Sequence, residues 1–326
     1  MKRRTFLSAS MGVLAGASGL ALCTDQQLHS GAALAFGTTI SVSVLHADAR
    51  LARLAIDEAL HAAQRVDRLM SIYHPASQVY QLNRDGLLAQ PDGQLLEVLA
   101  QARELSMVSE GAFDITVQPL WRAYSEAAAH GTLPTDAARR QARALVGWQE
   151  LEFDHEAVRL ARPGMAITLN GLAQGYAADR ALAALQARGI QHALLDTGEF
   201  VARGRKQHRQ PWTLGIRAPR DADALATTLY IEGCGVATSG DYEATFTPDF
   251  AHHHIFDPAL GDSPAELASV SVLAPSGMLA DGLSTAFMVM GRTRAAALAA
   301  QLPGVDLMTI DKQGRSWQTP TFPPPA

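Results

Sequence analysis

Asp281 and Thr285 stand four residues apart in Ala280-Asp281-Gly282-Leu283-Ser284-Thr285, a spacing that a helix turns into one face. A carboxylate beside a hydroxyl is a hard-oxygen pair suited to Mg2+, which keeps several waters and shares the phosphate oxygens of a substrate. The same residues serve as a helix-start acid and a hydroxyl bonded back to its own helix, so spacing alone leaves both readings open. His252-His253-His254 run into Ile255-Phe256-Asp257-Pro258. Consecutive side chains of an extended segment diverge, and no acid or cysteine lies at zinc spacing. The run therefore points either to one imidazole acting as a general base near neutral pH or to a polar strand edge. Residues 235–242 (GVATSGDY) read as a glycine-flanked turn whose N–H groups could meet a phosphate, although ordinary turns use the same residues. In 111–116 (GAFDIT) an aromatic, Phe113, stands beside a carboxylate, Asp114, just ahead of a helix. Tyr73 ends a long helix, where it either stacks on a planar ring or caps a core. No glycine-rich phosphate loop of the dinucleotide or P-loop kind is present.

These residues must be held by mixed elements. Helical spacing predicts helices over 51–70, 95–108, 117–129, from the Thr135-Asp136 cap toward Val146, 172–188 ending at Gly189, and 280–290 closed by Gly291. Alternation and apolar runs predict strands at 38–45, 166–169, 193–195, 214–217, 227–232, 269–274 and 305–310. Helices and strands follow one another without a βαβ rhythm, which argues for an α+β fold over a doubly wound sheet. The proline-rich tail, 320–326, reads as loose.

The chain has 326 residues, 48% of them hydrophobic and 18% charged, with a formal net charge of −5. That is globular composition, and it gives a nucleic-acid role no electrostatic support. Two cysteines, Cys23 and Cys234, exclude a disulfide framework and a cysteine-rich metal site. The start, Met1-Lys2-Arg3-Arg4-Thr5-Phe6-Leu7 followed by small and apolar residues to about Leu22, is an export signal rather than fold. Its paired arginines are of the twin-arginine (Tat) type, which implies a periplasmic protein. Leu22 is too large for the position before a lipidated cysteine, which argues against a lipoprotein. Ala33-Leu34-Ala35 offers a small-x-small cleavage site, so the signal segment is taken as 1–35, the catalytic domain as 36–319 and the tail as 320–326.

Seven stretches in order then carry a resemblance. They are Phe36-Gly37-Thr38-Thr39, DRLMSIYHPASQVYQLNR (67–84), GAFDITVQPLW (111–121), LNGLAQGYAADRA (169–181), VATSGDY (236–242), HIFDP (254–258) and ADGLSTAFMVMG (280–291). Together they resemble the ApbE family of FAD:protein FMN transferases over 36–311. The resemblance implies a T-fold-like α+β domain that binds FAD and Mg2+, cleaves the FAD pyrophosphate, releases AMP and joins FMN to a threonine or serine hydroxyl of a flavoprotein. By motif, Tyr73 stacks on the isoalloxazine and Phe36 lines the flavin site. Ala112, Phe113 and Asp114 surround the adenosine end, and Phe256 contacts FAD through its backbone. Asp281 and Thr285 bind Mg2+ by side chains and Gly171 by its carbonyl, and His254 is the base.

The chain also departs from the family pattern. Thr168 stands where an acid is usual, Asn170 where a glycine is, and Gln174 where lysine or glutamate is common; Thr168 and Gln174 are FAD-side positions. Asp196-Thr197-Gly198-Glu199-Phe200 replaces a stretch resembling Asn-Ala-Gly-Gly-Asp. LNGLAQGY and DTGE resemble the NosX branch, which implies an acceptor of the NosR type at the outer face of the cytoplasmic membrane. Two other readings accommodate the departures: an exported flavin-binding or chaperone protein without catalysis, and an FAD pyrophosphatase that passes FMN to water.

Overall fold

The computed structural model describes residues 26–206 and 210–326. The paired arginines and Cys23 lie outside the described residues. The chain opens with two paired strands, β1 (Gln27–Ala35) and β2 (Thr38–His46). Between them Phe36 and Gly37 both have positive φ, 53° and 70°, as a two-residue hairpin turn requires. Asp48 then caps α1 (Ala49–Met70), accepting from the N–H groups of Arg50 and Leu51, and α2 (Gln78–Asp85) follows. Next come β3 (Leu87–Ala89), α3 (Gly93–Val108), α4 (Gln118–Ala129) and α5 (Asp136–Arg143). The remaining elements are β4 (Leu151–Phe153), β5 (Ala157–Leu160), α6 (Ala173–Ala187), β6 (Ala193–Asp196), β7 (Phe200–Arg203), β8 (Trp212–Ala218), β9 (Asp221–Ile231), β10 (Gly235–Gly240), β11 (Leu267–Ala274), α7 (Gly277–Ala299), β12 (Asp306–Asp311) and β13 (Ser316–Gln318).

Eight strands form one sheet in the order β1-β2-β6-β7-β10-β11-β12-β13, with every pairing antiparallel. Helices α1, α6 and α7 cover one face. The β8–β9 hairpin covers part of the other through Trp212, Leu214, Ile216, Leu229 and Ile231. Alternation sorts the side chains: on β12, Leu307 faces the helices while Met308 and Ile310 join the hairpin layer, as the strand period of two demands. All eight residues of β11 are buried, as expected of a strand covered on both faces. On α1 the buried stripe is rich in alanine (Ala52, Ala55, Ala59, Ala63), which lets α6 lie close against it.

The α+β class stands, and several boundaries move. Residues 166–169 form no ladder strand. Instead the Asn83 side chain acts as a strand edge for Ile167, donating to its carbonyl at 2.8 Å and accepting its N–H at 2.7 Å. Residues 235–240 are no turn: β10 pairs with β11 along its length and with the start of β7, so the ladder takes up these backbone groups. Gly291 does not end the last long helix. It kinks it, at φ 73°, and Glu266 accepts the N–H of Arg292 where the helix resumes. Strand β1 occupies residues 27–35, so cleavage after Ala35 would remove the edge strand of the main sheet. The tail is not loose: Phe322 is buried in the hairpin layer, Pro325 bridges to Leu229, and the N–H of Ala326 reaches the carbonyl of Thr228 at 2.9 Å.

Candidate active site

The site is built where α6 and α7 begin. Ser276 caps α7 by accepting the N–H of Leu279 at 3.2 Å. One turn in, Asp281 is 4% exposed, and its Oδ2 accepts the N–H of Gly175 at 3.1 Å. Thr285 lies one turn further along the same face, its Oγ1 3.3 Å from the hydroxyl of Ser239 on β10. That serine also meets the hydroxyl of Ser284 at 2.7 Å. Gly171 precedes α6, and a Cβ placed there would stand 2.9 Å from Thr285 Oγ1 and 3.5 Å from the ring of Phe113. The structure thus brings Gly171, Phe113, Asp281 and Thr285 together from three separate stretches of sequence.

Burial pushes the Asp281 carboxyl up to about 7; the Gly175 N–H counteracts this and the nearby charge of Asp179 adds to it. Glu199 is pushed well above the ordinary carboxylate range by burial and then by the charge of Asp281. Its Oε2 accepts the N–H of Thr238 at 3.1 Å. Carboxylates raised in this way favour any cation that relieves their charge. Among the described residues no three His, Cys, Asp or Glu side chains gather as a metal site. The oxygens shown here are the Asp281 carboxylate and the Thr285 hydroxyl, with the backbone of Gly171 close beside the hydroxyl. That is hard-donor chemistry of the sparse kind that suits Mg2+, which takes few protein ligands beside substrate phosphate.

Gln174 sits beside this set with its amide already committed. Its Nε2 donates to the carbonyl of Thr197 at 2.8 Å, and the Thr197 hydroxyl donates to the Gln174 carbonyl at 2.7 Å. A Cβ on Gly198 would lie 1.9 Å from the same amide nitrogen. Position 174 and the 196–200 loop are therefore one unit, and Gln174 holds the loop that carries Glu199. Thr168 donates its N–H to the carbonyl of Ile115 at 2.8 Å and accepts the N–H of Asn170 on its hydroxyl at 3.3 Å, a turn-making role.

Ala112 and Phe113 are buried. Asp114 Oδ1 accepts from the N–H and hydroxyl of Thr116 at 2.7 and 2.6 Å, and Oδ2 accepts the N–H of Trp148 at 3.0 Å. Burial raises its pKa against these bonds. Asp114 thus ties two loops together, with Oδ2 the less occupied oxygen. Tyr73 is 67% exposed; its ring stands edge-on to Trp121, centroids 6.3 Å apart at 74°, and presents an open face. Phe36, at the tip of the β1–β2 hairpin, holds a φ that a bulky side chain adopts only at a cost.

The three histidines have three different partners. His252 Nδ1 lies 2.7 Å from Asp262 Oδ1. His253 is fully buried and clamped through its backbone by Ser263. His254 Nδ1 lies 3.2 Å from the carbonyl of Ala244; a carbonyl only accepts, so Nδ1 carries the proton and Nε2 keeps a lone pair. Burial lowers the His254 pKa and favours the neutral ring. The loop bearing it is fastened by Asp241, which is fully buried, bound by Arg220 at 2.6 and 2.8 Å and by Lys312 at 2.6 Å. Lys312 also donates to the carbonyl of Phe250 at 2.8 Å. The Phe256 ring packs against Tyr124, centroids 5.0 Å apart, which leaves its backbone as the part able to face a ligand.

Sequence reasoning missed Glu199, Gly175 and Ser239 as parts of this site. Only the acid at 199 carried a signal, and it lay within a stretch noted solely as a departure.

The sequence model of the ApbE family matches residues 36–309. The FAD:protein FMN transferase of Vibrio cholerae is 30% identical over 333 residues, covering 97% of this chain and 96% of that protein. The FAD:protein FMN transferase of Salmonella typhimurium is 30% identical over 302 residues, covering 88% and 86%. Among solved structures, the Pseudomonas stutzeri flavinyl transferase ApbE in its apo form superposes with a TM-score of 0.79 at 31% identity, covering 91% of this chain and 96% of that one. The flavin transferase ApbE from Vibrio cholerae gives 0.78 at 26% identity, covering 91% and 98%.

Proposed function

The chain belongs to the ApbE family and is an FAD:protein FMN transferase, and from that premise we propose how its residues divide the work. The observation that carries the proposal is the meeting of Gly171, Asp281 and Thr285 beside Phe113. These three residues would hold Mg2+, and a cation there would favour the ionised forms of Asp281 and of Glu199, whose pKa values burial raises. Bound there, Mg2+ supplies charge relief on the pyrophosphate oxygens and on departing AMP. Tyr73 stacks on the isoalloxazine and Phe36 lines that end. Ala112, Phe113 and Asp114 flank the adenosine, and Phe256 offers its backbone. Gln174 and Thr168 act from behind, by holding the loops that shape the pocket.

His254 Nε2 takes the proton of the acceptor hydroxyl. The hydroxyl oxygen bonds to the FMN phosphorus, the bond from that phosphorus to the bridging oxygen breaks, and AMP leaves with that oxygen. The acceptor in this proposal is a threonine or serine of a periplasmic flavoprotein at the outer face of the cytoplasmic membrane, of the NosR type. The enzyme reaches it by Tat export.

The test is chromatography of the nucleotides after mixing the protein with FAD, Mg2+ and such an acceptor domain. The proposal expects AMP release that requires the acceptor. AMP and free FMN appearing equally fast without acceptor would mean a pyrophosphatase, and bound FAD with no AMP would mean a flavin-binding protein.

A further inference from the structure

The cation ligands are divided between two helices. Gly171 leads into α6, while Asp281 and Thr285 ride on α7. Their spacing therefore depends on how the two helix starts are fixed to each other. The backbones touch at two glycines: a Cβ on Gly175 would lie 2.2 Å from the carbonyl oxygen of Gly277, and one on Gly277 would lie 2.6 Å from that of Gly175. A carboxylate from each helix closes the crossing. Asp281 of α7 accepts the N–H of Gly175 at 3.1 Å. Asp179 of α6 accepts the first two amides of α7 in return, Gly277 at 2.7 Å through Oδ1 and Met278 at 2.9 Å through Oδ2. Asp179 lies four residues after Gly175, and Asp281 four after Gly277, so each helix offers an amide and an acid on one face.

We propose that Asp179 is a positioning residue for the cation site, clasping the start of α7 to α6 so that Asp281 and Thr285 stand at the right distance from Gly171. Ser276 already caps α7 within its own chain segment. Asp179 reaches across from the other helix, so what it fixes is the placement of α7 and not only its helicity. A helix that slips by one residue moves 1.5 Å along its axis, and Mg2+ demands oxygen distances near 2.0–2.1 Å. A slip of a few tenths of an ångström is thus enough to weaken the site. The inference rests on the reading that Asp281, Thr285 and Gly171 hold the cation.

The experiment titrates Mn2+, as a paramagnetic stand-in for Mg2+, into the full protein and its variants by electron paramagnetic resonance, with flavin fluorescence reporting FAD affinity and thermal melting reporting stability. Asp179→Ala removes both acceptors and is expected to weaken Mn2+ binding by about tenfold or more, with FAD affinity within about twofold of wild type. Asp179→Asn keeps the side-chain shape and one acceptor and is expected to fall between the two; it keeps the test open should the alanine variant not fold. Ser276→Ala removes the other cap of the same helix end and is expected to melt earlier while binding Mn2+ as wild type does. The inference is overturned by Asp179 variants that bind Mn2+ like wild type, or by Ser276→Ala weakening it equally. Wild-type protein that binds no Mn2+ overturns the cation reading and this inference together; unchanged Asp179 variants beside a binding wild type overturn this inference alone.

Discussion

Asp281 does two jobs that one substitution can separate. Its Oδ2 accepts the Gly175 N–H, and its charge faces Glu199. Asp281→Asn keeps an acceptor of the same shape and removes the charge, so we expect the fold to persist and Mg2+-dependent transfer to fall by about 10²-fold or more, the scale of losing one charge-stabilising group. Melting curves and single-turnover flavinylation check it; transfer at the wild-type rate would remove Asp281 from the site. For His254, burial lowers the pKa, so the ring stays neutral in the folded protein as pH falls to the ordinary imidazole value and beyond. At saturating Mg2+, which favours the ionised form of Asp281, the acid limb of kcat/KM is expected below pH 6.5, and His254→Gln should remove that limb along with about 10²- to 10⁴-fold of rate. A limb unchanged in the glutamine variant would assign the base elsewhere. The four-residue spacing of Asp281 and Thr285 was legible in the sequence. Glu199 was not, because what turns it toward Asp281 is the grip of Gln174 on Thr197, over twenty residues away, and no local pattern encodes that.

At the scale of elements, the pocket walls are held by side chains standing in for secondary structure. Asn83 pairs with Ile167 through two hydrogen bonds and keeps 166–169 extended beside Phe113 and Gly171. Replacing it by alanine should cost about 2 kcal/mol, near one per bond lost, measured by urea unfolding, and should weaken FAD binding; unchanged FAD affinity would mean that this segment does not shape the pocket. The long helices α1, α3 and α6 were legible because their apolar spacing is their packing, and α7 was legible as far as Gly291. The extended character of 166–169 was legible too, but not that its partner is an asparagine. Residues 235–240 looked like a turn because glycines flank hydroxyls. They form a strand because β11 pairs with them along their length, and the first glycine is there because Gly235 passes close under the start of α7, where a Cβ would lie 2.5 Å from the carbonyl oxygen of Ser276. Gly291 looked like a stop and is a kink, because Glu266 from a neighbouring segment caps the resumed helix.

At the scale of the whole molecule, the antiparallel sheet carries helices on one face and a hairpin on the other, and Gly171, Asp281 and Thr285 gather where the first turns of α6 and α7 meet β10. The α+β class could be read from the irregular order of helices and strands; the sheet order could not, because it joins strands far apart in the chain. Strand β1 also bears on export. Its register with β2 runs from Gln27 to Ala35, so if the chain is exported as proposed, N-terminal sequencing of the mature protein is expected to begin at or before Gln27, and a start at Phe36 would contradict the role of β1. Acid stability follows from His253, whose pKa burial lowers to about 4. Between pH 6.5 and about 4 the unfolded chain takes up this proton and the folded chain resists, so stability is fully present above that window and falls as pH drops through it. Denaturant titrations of wild type against His253→Asn should isolate this contribution, the wild type losing more stability than the variant across that window. Among the described residues no helix is long and apolar enough to cross a membrane. The most direct test of the central claim is the intact mass of that acceptor domain after incubation with the enzyme, FAD and Mg2+. The account predicts one added FMN, mapped to a threonine or serine and lost when that residue is replaced by valine or alanine. An acceptor of unchanged mass in a mixture where FAD has been cleaved would contradict it.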